Sequence, residues 1–265
     1  MGTPADELPV TSSVPVKLPE AQETLFREVL LRLEEERVPF TISGAVALQQ
    51  HTGICRFTKD LDIFLSPADA NLALPILAGQ GFECEVRDPV WLAKAHRDGF
   101  FVDLITGMSN GAITVDASWI QRSHPAVVLG VKTRVLAPEE LIASKLFITR
   151  RERFDGADIA HVIYGLKGRL DWQRILQLAG DHWELVLWAL VLFRYVYPAR
   201  TNYVPQTVWR ELLGRFAEEV QSPNAKARFR GSLIDDKMFA IDVEDWGLDN
   251  ILAEHQARRE KIKAV

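Results

Sequence analysis

Apolar positions along the chain change period several times, and each change marks an element boundary. Leu25, Val29, Leu30, Leu33 and Val38 recur at helical spacing. They predict a first helix from about Pro19 to Arg37, with Pro19 where a first turn tolerates it. Phe40 to Ser43 then reads as a short apolar strand ending at Gly44. Gly44, Ala45 and Ala47 are small enough to open a tight strand-to-helix turn, whose free backbone N–H groups suit a phosphate. After that short helix, Arg56 to Lys59 lead into a strand from Asp60 to Leu65. Residues i and i+2 share a strand face, so Asp60 and Asp62 point together while Leu61 turns into the core. Ser66 is the N-cap of the next helix, which runs to about Gln80 before Gly81.

Strand patterning follows. Phe82 to Arg87 and Val90 to Arg97 are separated by Asp88-Pro89, and Asp98-Gly99 is a two-residue hairpin signal leading into Phe100 to Ile105. Asp103 sits in the middle of that last strand, flanked by Val102 and Leu104, and an acid in so apolar a run joins the carboxylate set. Residues 106 to 124 predict a loop with a short turn around Trp119. Val127 to Leu129 and Thr133 to Leu136 predict a final hairpin through Gly130. From Pro138 the texture is helical: 138–153, Asp155 to Leu166, Trp172 to Leu178, His182 to Tyr197 and Gln206 to Gln221, rich in Trp and Leu as packed helix faces are. The expected organisation is a flexible tail over 1–18, an α/β core over 19–136 with a small mixed sheet flanked by helices, and a helical region over 137–221. An irregular tail over 222–265 then ends in a charged helix, Asn250 to Lys263.

Composition narrows the class without choosing it. The 265 residues are 48% hydrophobic and 25% charged, enough for one large or two small packed domains, and the net charge of −5 advertises no global field for nucleic acid. Two cysteines, Cys55 and Cys84, carry no ligand spacing and argue for a reducing, cytoplasmic compartment. The N-terminal stretch lacks a basic region followed by an apolar one, so no secretory leader is expected, and Asp6 breaks a myristoylation pattern after Gly2. Leu185 to Phe193, the most apolar run, is far shorter than the ~20 residues that span a bilayer, so no membrane partner is expected.

The chemistry concentrates at the acid pair. Two carboxylates side by side repel unless a cation or a proton lies between them. A hard divalent ion such as Mg2+, with Mn2+ as a substitute, suits oxygen-only ligands on a rigid strand. Other chemistries lack their motifs: the six histidines have no HExxH spacing, and GxSxG, GxxxxGK[ST] and helix-opening GxGxxG are missing from the sequence. Glycoside hydrolysis needs room for a sugar between its acids, and Asp60 and Asp62 on one strand face are too close.

Gly44-Ala45, then Arg56 to Asp62, then Asp103 between hydrophobics resemble the signature of the nucleotidyltransferase superfamily with the DNA polymerase beta-like fold. Glu140 to Lys145 followed by Arg153 to Asp158 further resembles its AbiEii-like toxin branch. Ala45 stands where the family usually has a second Gly or a Ser, and Phe154 where the branch has Lys. The resemblance implies transfer of a nucleoside monophosphate from an NTP such as ATP to an acceptor. Asp60 and Asp62 would hold the metal that bridges the triphosphate, and Asp103 would bind a second ion or take the acceptor's proton. It also implies that Gly44, Ala45, Arg56, Thr58 and Lys145 contact phosphates, with Asp158 near the nucleotide or the acceptor. It leaves the acceptor open among a small hydroxylated molecule such as an aminoglycoside, a tRNA end, and a protein side chain in a toxin–antitoxin setting with an antitoxin partner. Blander readings stand beside these. Lys145 could be solvated, Asp155 and Asp158 could answer a helix dipole, Arg56 could pair with a surface acid, and the whole could be a catalytically silent nucleotide-binding or interaction module.

Overall fold

The alternation around Asp60 builds the centre of a sheet. A computed structural model of the chain describes residues 18–263 and the backbone of Ser13 and Val14; the tail expected over 1–18 otherwise lies outside the described residues. The strands are β1 (Ser13–Val14), β2 (Thr41–Ile42), β3 (Asp60–Phe64), β4 (Glu83–Asp88), β5 (Leu92–Arg97), β6 (Phe100–Ile105), β7 (His124–Val128) and β8 (Val131–Val135), in the order β1-β7-β8-β2-β3-β6-β5-β4. The sheet is mixed: β3 runs antiparallel to β2 and parallel to β6, while β4, β5 and β6 form an antiparallel meander. Asp98-Gly99 makes the expected turn, both residues taking positive φ (53° and 80°), as a two-residue hairpin of matching twist requires. Leu129-Gly130 does the same between β7 and β8.

Helices cover the sheet and continue beyond it. They are α1 (Glu20–Glu35), α2 (Gly44–Thr52), α3 (Pro67–Ala78), α4 (Ala117–Arg122), α5 (Pro138–Lys145), α6 (Gly156–Gly165), α7 (Trp172–Ala179), α8 (Trp183–Val196), α9 (Gln206–Gln221), α10 (Gly231–Ile234), α11 (Ala240–Glu244) and α12 (Ile251–Lys263). The buried face of α1, from Leu25 through Leu33, packs on β6, β8 and α3, while α2 leans on α5 and α6. The turn expected at Trp119 is the helix α4, whose Trp119 is buried against Phe64 of β3. The helix expected over 138–153 stops at Lys145 instead. Asp155 donates its backbone N–H to the Ile148 carbonyl at 2.9 Å and Thr149 bridges Phe154, so the chain folds back there and returns Arg153 and Asp155 to Lys145.

Trp172–Val196 is apolar enough on average, and long enough as a whole, to cross a membrane. Gly180 breaks it with φ 53° and ψ −123°, and the longer piece, α8, has 14 residues, short of a span. Its Val186, Leu190 and Phe193 are buried in the helical layer. The terminal stretch packs back on the sheet side. Leu233 and Arg259 are buried, and the Arg259 guanidinium donates to the carbonyls of Val90 and Thr106 and to the Thr114 hydroxyl.

Candidate active site

Asp62 and Asp103 are direct partners in the parallel β3–β6 pair, and Asp60 lies two residues before Asp62 on the same face. Strand parity and strand adjacency together bring one carboxylate oxygen from each of the three within 4.8 Å of one another. Gly44 explains itself at this point. The Ser43 backbone N–H donates to the Asp62 carbonyl at 2.9 Å, and a Cβ added at Gly44 would run into the Asp62 carboxylate, coming within 2.8 Å of its Cγ. With φ at 58°, the position favours glycine on backbone grounds as well.

The three acids are not alike. The Thr58 hydroxyl sits against the Asp60 carbonyl at 2.8 Å and its Oδ1 at 3.0 Å, so Thr58 braces Asp60 from behind. Lys94, opposite Asp103 on β5, donates to Asp103 Oδ1 at 2.6 Å. Burial raises Asp103 above the usual carboxylate range, Lys94 opposes that rise, and Asp60 adds to it. Asp62 has no ion-pair partner for its carboxylate among the described residues. Burial first, then repulsion from Asp60 and Asp103, pushes it up to about 7, with Lys145 and Arg153 pulling the other way.

These acids floor a cleft of about 320 Å³. One wall comes from α5 and the loop after it, with Ser144, Lys145, Phe147, Arg150 and Arg153; the other comes from Trp91 and the loop after β6, with Met108 and Ser109. Lys145 is not solvated: it is 7% exposed and its Nζ lies 2.8 Å from Asp155 and 2.9 Å from Asp158. Arg153 clamps Asp155 through two hydrogen bonds of 3.0 Å, and Arg56 meets Asp158 at 2.6 Å. Burial alone would raise Asp155, but Arg153 and Lys145 hold it below its usual value. Asp155 heads α6 without capping it, so its charge serves these cations rather than the helix end.

The expected site residues therefore sort by place. Asp60, Asp62, Asp103, Gly44 and Lys145 line the cleft, whereas Ala45, Arg56, Thr58 and Asp158 stand outside its lining. Arg150 and Arg153 do line it. Lys94 escaped the sequence reading, although the Asp98-Gly99 turn already fixed it opposite Asp103. Leu233 escaped it too, and nothing local announces that a residue so distant reaches this cleft.

Beneath the glycine-led N-terminus of α2 the mixed sheet thus presents a carboxylate triad. Residues 22–182, more than half of the chain, match the family described as nucleotidyl transferase of unknown function (DUF2204), and the chain belongs to that family. No curated protein matches it. Among solved structures, the antibiotic-resistance factor ANT(2'')-Ia is 18% identical, covering 68% of this chain and 94% of its own, with a TM-score of 0.43. An antigenic nucleotidyltransferase-like protein from Paracoccidioides brasiliensis is 16% identical over 71% and 95%, with a TM-score of 0.43. The lincosamide antibiotic adenylyltransferase LnuA, lincomycin-bound, is 16% identical over 55% and 96%, with a TM-score of 0.38.

Proposed function

We propose that the chain is a Mg2+-dependent enzyme that moves a nucleoside monophosphate from an NTP to an acceptor hydroxyl. The observation that carries this is the convergence of Asp60, Asp62 and Asp103 within 4.8 Å at the floor of a cleft. Three carboxylates at that spacing, two of them without an ion-pair partner among the described residues, fit a hard divalent ion better than they fit one another. Asp60 and Asp62 would hold that ion, which would neutralise phosphate charge and orient the triphosphate. The acceptor oxygen forms a bond to the α-phosphorus, the bond to the bridging oxygen breaks, and pyrophosphate leaves with that electron pair. The hydroxyl proton passes to a carboxylate or to water, and Asp103, raised by its burial, is the group placed to take it.

The remaining residues position. Gly44 and Ala45 head α2, where backbone N–H groups and the helix dipole favour phosphate. Arg153 and Lys145, both paired with Asp155, border the phosphate end, with Arg56, Thr58 and Asp158 holding Lys145 and Asp60 in place. The low cysteine count, two in 265 residues, suits the cytoplasm. The test is incubation with each α-phosphate-labelled NTP, Mg2+ or Mn2+, and separate pools of small molecules, bulk tRNA and protein, the last including any antitoxin. Label in one pool with stoichiometric pyrophosphate release supports transfer and names the acceptor class. NTP binding without pyrophosphate release from any pool would leave a silent nucleotide-binding module, and the AbiEii-like resemblance would then describe shape without activity.

A further inference from the structure

The half of the cleft away from Gly44 carries its own chemistry. Resting on the nucleotidyl-transfer reading, we propose that the acceptor is a hydroxyl compound with a flat apolar body and one anionic group, seated on Trp91, Met108 and Leu233 and paired with Arg150. Strand order sets the direction: Gly44 follows β2, Asp60 and Asp62 are on β3, Asp103 is on β6, and Trp91 leads into β5, so the triad lies between the phosphate-binding turn and Trp91. Met108 follows β6, and the Asn110 amide holds Leu233 over this end by donating to its carbonyl at 3.0 Å. Trp91 is half-buried, with its carbonyl accepting the Thr106 N–H at 2.8 Å, so the wall is fixed at two points, through the Leu233 and Trp91 carbonyls.

Charge decides the rest. Outside the triad no carboxylate lines the cleft, among the described residues. The lining cations Lys145 and Arg153 are spent on Asp155, which leaves Arg150. Its guanidinium donates to Ser109 Oγ at 3.1 Å, which aims it at this end, and it forms no ion pair among the described residues. Asp235 feels the Arg150 charge, but its carboxylate is taken up by the backbone N–H groups of Met238, Arg151 and Lys237. A polycationic acceptor would meet Arg150 with no acid to answer it except the triad that the proposed metal would occupy, which amounts to a built-in rejection. An acceptor carboxylate or phosphate would find a fork of donors beside an aromatic face.

The test uses the full chain with Mg2+ and a saturating α,β-methylene ATP, titrated calorimetrically with phenyl phosphate, 4-hydroxybenzoate and benzylamine. At least one anion should bind about tenfold or more tightly than benzylamine, and which one does distinguishes phosphate from carboxylate. Arg150→Gln and Trp91→Ala should each weaken that anion about tenfold while leaving ATP-analogue affinity within about twofold, and Arg150→Lys should recover part of it. Benzylamine binding as well as the anions, no anion binding to the nucleotide-loaded protein, or a loss of nucleotide affinity in either variant would overturn the proposal. The last would assign Trp91 and Arg150 to the nucleotide instead. A chain that fails to bind the ATP analogue at all, in its wild-type form, would bring down the transfer reading first and this subsite with it.

Discussion

Two clusters of charge lie next to each other at the cleft and are balanced in opposite senses. At the floor, Asp103 has an ion-pair partner in Lys94, whereas Asp60 and Asp62 have none among the described residues. Behind the wall, Asp155 and Asp158 meet three cations, Lys145, Arg153 and Arg56. The second cluster satisfies itself and needs nothing from outside. The first raises Asp62 to about 7 through burial and mutual repulsion, a cost that packing alone would not maintain. The same residue type thus serves as a brace in one cluster and stands largely unanswered in the other, where the proposed ion would sit, and the difference is the local count of partners.

The sharpest way to break that contrast is to remove charge from each cluster in turn. Asp62→Asn should lower the transfer rate by about 10^3-fold, ~4 kcal/mol of transition-state stabilisation, while the fold is kept or strengthened. Pyrophosphate release alongside a thermal melt reads both, and an active Asp62→Asn protein would remove this residue from the mechanism. Lys145→Met acts in the reverse direction: it takes the shared buried cation from Asp155 and Asp158, leaving each with one arginine that is more exposed, and should cost about 1.5–3 kcal/mol of stability. Urea unfolding that shows less than ~1 kcal/mol would mean the cluster is solvated after all. Gly44→Ala sits between the two, since its methyl meets the Asp62 carboxylate at a left-handed backbone position. It should cost ~1–2 kcal/mol of stability and move the metal dependence of the rate, whereas a change in stability alone would separate Gly44 from the ion site.

A pH dependence completes the contrast, and its sign is diagnostic. With chelator present, the folded chain keeps a proton on Asp62 that the unfolded chain releases between pH 3.8 and about 7, so this group's contribution falls as pH rises through that window. His51 works against it. Burial drives it down to about 4 while it donates to the Leu136 carbonyl at 2.7 Å, so its contribution falls as pH drops from 6.5 towards 4. Subtracting the Asp62→Asn profile from the wild type isolates the first effect, and Mg2+ should abolish it. Parallel profiles for the two proteins would show that Asp62 is already compensated.

What the sequence alone determined is what short-range physics determines. The parity of a strand puts Asp60 and Asp62 on one face, a Gly after an apolar run opens α2, and Asp98-Gly99 fixes a hairpin register that includes Lys94 opposite Asp103. Helical periodicity located α6 through α9 to within a residue or two, yet it carried α5 on to residue 153, because nothing in that stretch breaks a helix locally. Tertiary structure decided where α5 stops, since the competing bonds come from Asp155 returning to Ile148 and Lys145. It also decided which acids are paired, placed Arg56 on Asp158, and brought Leu233 to a cleft whose floor begins at Asp60. Whether a charge is answered depends on partners gathered by burial from distant parts of the chain, and periodicity or turn chemistry extends only a few residues either way.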